Sequence, residues 1–442
     1  MKGAASGNQL VSANPYGIQP WGNYYCEEKP VEIRTKSLGN FCVLEDQIIL
    51  EQILVHLLAA DLARLSRVSR VFYVFCYYDK IWRDLTLESF GGDWTFRSTW
   101  RETYICRARG RVLHGDPAHW RAVPMRVDHF YSDYMHDEWE CAVTDPRIWE
   151  SCCAENIERC ANPSPEEFDL RYGRPNLPVV MTGVVEGWPA WESWTREKLK
   201  GRFPEKGQTF QVGSVSLPLC EYFDYCDKTR DETPLYLFDG RFGEKYPELL
   251  EDYRVPECFG KDYFSLLDEE VRPSYRWILI GPARSGSTFH KDPNSTSAWN
   301  ALIRGKKLWI MYPPEVVPPE VYPSRDQAEV TTPVSVMEWM VRFFKKAQRR
   351  TDAYKICIQR PGEIVYIPNG WWHQVVNLEE CVAVTQNVVC DNNLRNVVRF
   401  LERKRNRVYW AFREAMEREH SEKWEEAAGR IFFFACVGGT VR

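Results

Sequence analysis

The chain has 442 residues, 44% of them apolar, enough for two or three domains with filled cores. Lys plus Arg number 57 against 62 Asp plus Glu, a formal net charge of −5, which excludes a protein-wide nucleic-acid coat but not a local basic patch. Charged residues make up 27% and aromatics 14%, with 18 Trp, so global disorder is excluded.

None of the 15 cysteines forms a C-x-x-C pair, which argues against a zinc ribbon or a thioredoxin-like motif. They read as buried, reduced thiols of an intracellular protein. The opening MKGAASGNQLVSANPYG has no apolar core of signal-peptide length. The apolar run Ile431 to Val437 is seven residues long, too short to span a bilayer. The expectation is a protein that is not secreted and has no membrane partner, nuclear or otherwise cytoplasmic.

Residues 1–38 carry Gly, Asn, Pro and Ser without periodicity and are expected to form a flexible arm. From Leu44 to Leu85 the pattern turns helical. Ile49, Ile53 and Leu57 repeat every four residues, predicting one amphipathic helix. Asp61 is placed to cap a second, with Leu62, Leu65, Val68, Phe72 and Phe75 on its apolar face. Asp79 opens a short third segment around Ile81 and Trp82. Such short helices cannot bury all their apolar surface on each other, so some is left for a partner.

Asp61-Leu62, Leu65, Val68-Ser69, Phe72 and Ile81-Trp82-Arg83 resemble the F-box pattern. Leu44-Glu45 stands where that family has a proline. The resemblance implies an F-box-like helical domain at 39–88 that binds a Skp-type adaptor and, through it, a cullin. A helical subdomain packed on its own chain is the plainer alternative. Residues 89–154 are rich in Trp, Arg and His and are expected to be a connector. His114, His119, His129 and His136 lie there, without the companion cysteines that would favour a second metal site.

From about residue 155 short apolar runs recur between Gly/Pro turns: Val179 to Val185, TFQVGSVSL, LYLFDGRF, RWILIGPA, KLWIMYPP, IVYIPNG and CVAVTQNVV. Many short strands with turn signals predict a sandwich or barrel rather than a parallel α/β sheet. Pro178 permits the start of a strand or an edge strand. Leu394, Val397, Val398 and Leu401 start a helical tail that continues with Val408, Phe412 and Met416.

The candidate chemistry lies in FHKDPNSTSAWNALIRGKKLWIMYPP and PGEIVYIPNGWWHQVVNLEE. His290 and Asp292 are two apart, so on an extended segment their side chains share a face. His373 follows 81 residues after Asp292, at another strand end. Two His and one carboxylate with open positions suit non-haem Fe(II). Iron of this kind needs an electron source to activate oxygen, and a chelating 2-oxo acid provides one. Its distal carboxylate needs a cation, and Lys307, 17 residues after His290, is the candidate.

GPARSGSTFHKDPNSTSAWNAL, PGEIVYIPNGWWHQVVNLEE, AVTQN and, more weakly, PLYLFD and LLEDYRVP resemble the jumonji-C (JmjC) 2-oxoglutarate oxygenases. Within that family they are most similar to the bifunctional arginine demethylase and lysyl-hydroxylase subgroup, once called phosphatidylserine-receptor-like. The resemblance implies an oxygenase domain at 155–392 with a double-stranded β-helix, a cupin-like jelly roll. The fold class is then α+β: the F-box domain, the jelly roll with flanking helices, and a helical tail at 393–442.

Carried over residue by residue, the resemblance makes His290, Asp292 and His373 the iron ligands. Lys307 pairs with the distal carboxylate of 2-oxoglutarate, Tyr236 reaches that carboxylate, and Asn300 and Thr385 lie on the cosubstrate side. Ser287-Thr288 stands where Thr-Gly is expected, and Ser287 keeps the hydroxyl. Trp371 and Trp372 are core residues, one of which walls the iron pocket on the functional reading.

The implied activity is Fe(II)- and 2-oxoglutarate-dependent hydroxylation of a protein side chain, foremost lysine, consuming O2 and supported by ascorbate. Methyl-arginine or methyl-lysine demethylation is the alternative reaction. A non-catalytic SCF substrate receptor is the alternative class, against which the intact triad and Lys307 argue. Client selection is expected in loops at Cys220 to Arg230 and Ser324 to Thr332. The basic stretches Lys345 to Arg350 and Arg403 to Arg407 are candidates for nucleic acid or an importer. Mixed solvated helix faces are the expected reading, since acidic residues crowd the later tail.

Overall fold

The computed structural model describes residues 14–110, 124–325, 330–332, 334–350 and 354–429. His114, His119 and the Ile431 to Val437 run lie outside them. Residues 14–38 are not a bare arm. They form the short helices Trp21–Cys26 and Arg34–Leu38, bury Ile18 and Leu38, and bridge Gln19 to Tyr131.

The first helix of the Leu44 to Leu85 region is continuous but changes pitch. Asp46–Ile48 is α-helical, Ile49–Ile53 widens to a π turn and Leu54–His56 tightens to a 3₁₀ turn. Asp61 does not cap the next helix. That helix, Ala59–Leu65, starts after Leu58, and Asp61 pairs with Arg64 in its first turn. The apolar run that follows is a separate helix, Arg70–Cys76, whose first turn is capped by Ser69 Oγ accepting from the Phe72 N–H. The third helix is longer than expected, Asp79–Phe90.

This helical region is fastened to the rest of the chain. Asp79 accepts from the backbone N–H groups of Trp100 and Arg101, capping the connector helix Trp100–Ala108. The Trp100 ring is wholly buried among Trp94, Phe96 and Tyr225, and its indole N–H donates to Asp231. Trp100 thus ties this segment to Tyr225 and Asp231.

Fifteen strands follow among the described residues. They are β1 Glu158–Ala161, β2 Val179–Thr182, β3 Thr209–Val212, β4 Val215–Pro218, β5 Leu237–Asp239, β6 Arg276–Gly281, β7 Gly286–His290, β8 Ser297–Arg304 and β9 Lys307–Tyr312. After the small pair β10 Tyr322–Pro323 and β11 Val330–Thr331 come β12 Lys355–Gln359, β13 Ile364–Ile367, β14 Trp372–Asn377 and β15 Cys381–Val388. A nine-stranded sheet runs β1-β2-β13-β8-β15-β6-β5-β3-β4 and a four-stranded sheet runs β12-β9-β14-β7. Consecutive strands from β6 to β9 alternate between the two sheets, and so do those from β12 to β15, which is the jelly-roll winding. Pro178 precedes the first residue of β2, an interior strand, so of the two places open to it the strand start is the one used.

Alternation along each strand sorts the side chains. Val180, Ala298, Val365, Ile367, Trp309, Met311, Cys357 and Val375 meet between the sheets. Leu279, Leu302, Cys381 and Ala383 close one end of that interior. Phe289, Leu308, Ile310, Trp372 and Val376 face the other way, onto the helix Val336–Arg342. Gly305, at φ 83°, makes the turn from β8 to β9, and a Cβ there would lie 2.2 Å from the Glu380 carbonyl oxygen.

The described residues of the tail form three helices, Asp391–Lys404, Arg407–Glu419 and Ser421–Ala427. Leu394, Val397, Val398 and Leu401 are all buried, as their spacing predicts. Arg405 takes the left-handed conformation and ends the first of these helices, so Val408, Phe412 and Met416 belong to the second.

Candidate active site

His290 ends β7 and Asp292 follows in extended backbone, so both side chains turn to one side. His373 stands on β14 directly opposite His290. The ligand-type atoms of the three side chains lie within 4.8 Å of one another. Nδ1 of His290 donates to the Thr288 carbonyl at 2.7 Å, and Nδ1 of His373 donates to that of Trp371 at 3.1 Å. Each carbonyl can only accept, so each ring carries its proton on Nδ1 and keeps the Nε2 lone pair. Oδ2 of Asp292 is buried with no hydrogen-bond partner.

Burial pushes both imidazoles down to about 4; the two rings repel each other's charge at His290, and Asp292 pulls the other way. Burial pushes Asp292 up to about 6 against the pull of His290 and a hydrogen bond from Asn387. Two lone pairs and an orphaned carboxylate oxygen converge, which fits a divalent cation with open coordination positions.

Lys307, at the start of β9, is 1% exposed. Its ammonium donates to Tyr236 Oη at 3.1 Å and to Asn377 Oδ1 at 2.8 Å. Burial works against its charge, but the Tyr236 phenol and the Cys381 thiol beside it outweigh that and hold its pKa above the usual lysine value. No carboxylate among the described residues pairs with it. A buried cation lacking its anion fits an anionic ligand.

Asn300 and Thr385 are directly opposed on β8 and β15 and face the same interior. Oδ1 of Asn300 is buried without a partner. Thr385 donates its hydroxyl proton to the Trp299 carbonyl at 2.8 Å, leaving it an acceptor toward the pocket. Ser287 lies opposite Val375 while His290 lies opposite His373, so three residues of β7 span two of β14. This bulge turns both Ser287 and His290 inward, although their odd spacing would split them on a regular strand.

Sequence reasoning left several partners unassigned. Asn377 and Asn387 lie in the PGEIVYIPNGWWHQVVNLEE and AVTQN stretches, where sequence alone gives them no role. The Trp309 ring lies 6.2 Å from His373, and its N–H donates to Gln359, whose amide donates to the Asn300 carbonyl. The alternation of β9 and β14 was the available signal for Trp309 and Asn377. Of the tryptophan pair, Trp372 points to the outer face, and Trp371 serves the site through its carbonyl.

The segment Cys220 to Arg230, expected as a loop, is not one. It lies mostly in the helix Leu219–Lys228, with Tyr222, Phe223 and Tyr225 buried. In Ser324 to Thr332, Val330–Thr331 pairs with Tyr322–Pro323, and residues 326–329 and 333 fall outside the described residues. His136, Asp137 and Glu140 also gather, but Arg342 pairs with both carboxylates.

A cupin-like domain model matches residues 203–387, and an F-box-like model matches residues 48–88. The chain is 43% identical over 389 residues to the arginine-specific demethylase JMJ22 of Arabidopsis thaliana, covering 88% of this chain and 76% of that protein. The chain belongs to the JmjC family. It is also 37% identical to the lysine-specific demethylase JMJ21 of Arabidopsis thaliana, over 81% of this chain and 38% of that one. To the bifunctional arginine demethylase and lysyl-hydroxylase psr-1 of Caenorhabditis elegans it is 37% identical, over 52% of this chain and 60% of that protein. The JmjC core thus carries an F-box-like segment ahead of it, and β1 and β2 extend its large sheet upstream of the matched span.

Proposed function

We propose that the chain is an Fe(II)- and 2-oxoglutarate-dependent oxygenase that hydroxylates a lysine side chain of a protein client. The observation that carries this reading is the uncompensated Lys307 ammonium in the same interior as the His290, Asp292 and His373 cluster. His290, Asp292 and His373 would hold the iron. One N–H of Lys307 and the Tyr236 hydroxyl proton are uncommitted and would take the distal carboxylate. Ser287 adds a polar group from the four-stranded sheet and Asn300 one from the nine-stranded sheet, and Trp309, Met311 and Val375 exclude water. When bound, iron and 2-oxoglutarate supply oxygen activation, ending in succinate, carbon dioxide and one oxygen atom on the client.

Demethylation of methyl-arginine is the second reading, favoured by the name of JMJ22, which matches 88% of this chain. Both reactions remove hydrogen from a C–H bond, so positioning of the client decides between them. Incubation of lysine and methyl-arginine peptides with Fe(II), ascorbate and 2-oxoglutarate separates them. Hydroxylation adds one oxygen to a lysine peptide. Formaldehyde release from the methyl-arginine peptide, with no oxygen on lysine, overturns the first reading in favour of the second.

The F-box-like segment would join this activity to a ubiquitin ligase through a Skp-type adaptor. Its exposed Val43, Leu58 and Val68 support that reading, because they are the apolar surface its own helices leave uncovered. Among the described residues no helix is long and apolar enough to cross a membrane. A nuclear location is in keeping with the exposed basic turn at Arg403 to Arg407.

A further inference from the structure

Asn377 faces Lys307 across β14 and β9 as its direct register partner and is wholly buried. Its amide cannot turn over. Nδ2 lies 2.9 Å from Ser285 Oγ and 3.5 Å from the Gly281 carbonyl. Ser285 Oγ gives its own proton to the Pro282 carbonyl at 2.6 Å, so toward Asn377 it can only accept. The backbone is tied as well: the Asn377 N–H donates to the Ser285 carbonyl, and the Arg284 N–H donates to the Asn377 carbonyl. The amide oxygen is thereby fixed on the ammonium.

The consequence concerns charge. A lysine ammonium has three donors. Asn377 takes one and Tyr236 takes one, and both acceptors are neutral groups. The third donor and the full positive charge are left for a ligand. An aspartate has nearly the shape of asparagine, and in this place it would supply from within the chain the carboxylate that the ammonium lacks.

We propose that Asn377 is a positioning and specificity-determining residue: held by Ser285, it orients Lys307 while leaving its charge uncompensated, so that the pocket selects a 2-oxo acid bearing a distal carboxylate. This rests on the cosubstrate reading above and names what sets its selectivity.

The test is direct binding of 2-oxoglutarate to the full chain by calorimetry, with Mn(II) in place of iron so that nothing turns over. Asn377→Asp should weaken 2-oxoglutarate binding by roughly a hundredfold or more, because the new carboxylate pairs with the buried cation in the ligand's place. Asn377→Ala, which removes the contact but adds no charge, should weaken it by roughly tenfold, the loss of one hydrogen bond to a charged group. Mn(II) affinity should not change in either.

Ser285→Ala, which frees the amide without touching Lys307, should raise the KM for 2-oxoglutarate several-fold and leave kcat at saturation intact. It keeps the proposal testable if the Asn377 variants do not fold. Equal effects of Asp and Ala, or wild-type affinity in Asn377→Asp, overturn the proposal, as does an unchanged KM in Ser285→Ala. Failure of the wild-type chain to bind 2-oxoglutarate overturns instead the cosubstrate reading on which it rests.

Discussion

His290 and His373 stand opposite each other on neighbouring antiparallel strands, with ring centroids 4.1 Å apart. Two imidazolium ions could not be held that close in a desolvated site, and both rings are kept neutral by burial. Each is fixed by a carbonyl two residues back, that of Thr288 on β7 and that of Trp371 just ahead of β14. The backbone therefore presets the tautomer and the direction of both lone pairs, as metal-binding histidines require.

His290→Ala and His373→Ala should each abolish metal binding while leaving the fold intact. A divalent ion at a hundredfold excess over its Kd stabilises a protein by about 2.7 kcal/mol. The wild type should show a corresponding rise in Tm with Mn(II), and the variants none. Turnover of 2-oxoglutarate should vanish in both. Wild-type turnover in either variant places the site elsewhere.

Metal affinity should respond to pH in an unusual order. With the carboxylate raised to about 6 and the imidazoles lowered to about 4, Asp292 is the first ligand to take up a proton as pH falls. Affinity should be flat above pH 6, drop about tenfold per unit below it through one proton, and steepen only near pH 4. Ligands at their ordinary values would instead show a two-proton loss starting near about pH 6.5, from the histidines. Mn(II) titrations between these limits distinguish the two orders.

Much of this was legible because the cluster is local in pattern. The two-residue step from His290 to Asp292 needs only extended backbone, and the strand alternation around Lys307 gives its face. Other parts depend on pairing that a sequence does not display. Ser287 reaches the interior through a bulge between β7 and β14. Asn377 matters because of its register with Lys307. The pitch changes from Asp46 to His56 and the separate helix after Ser69 follow from packing against neighbouring helices, which overrides a simple four-residue repeat.

Lys307→Met should raise the KM for 2-oxoglutarate strongly. Removing one member of a buried charge pair costs roughly 3–5 kcal/mol, so the cosubstrate complex should weaken by at least a hundredfold. The free protein should stay folded, with a loss of stability limited to the hydrogen bonds to Tyr236 and Asn377. Equilibrium unfolding and steady-state kinetics read the two effects separately. An unchanged KM rejects the assignment.

Trp100→Ala should cost about 3–5 kcal/mol, the range for a buried aromatic truncated to alanine. It should also raise the KM for 2-oxoglutarate, although Trp100 lies outside the jelly roll. The indole holds Asp231, Asp231 accepts from Tyr225 Oη, and that hydroxyl accepts the Leu235 N–H immediately before Tyr236. Loss of stability with an unchanged KM would show that the connector does not position Tyr236.

The F-box surface gives the last prediction, and burial decides which residues test it. Leu62 is 0% exposed, so a charge there would unfold the helices rather than probe a partner. Leu58 and Val68, at 70% and 67% exposed, flank the same helix and turn outward, with Val43 at 83%. An apolar face of this kind suits a helical partner that covers it. Leu58→Asp with Val68→Asp should leave the unfolding free energy within about 1 kcal/mol of the wild type, as surface substitutions do. Co-expression with a Skp-type adaptor should give a stable complex with the wild type and none with the double variant. If the wild type does not co-purify, the segment is a helical cap on its own chain, fastened through Asp79 and Trp100.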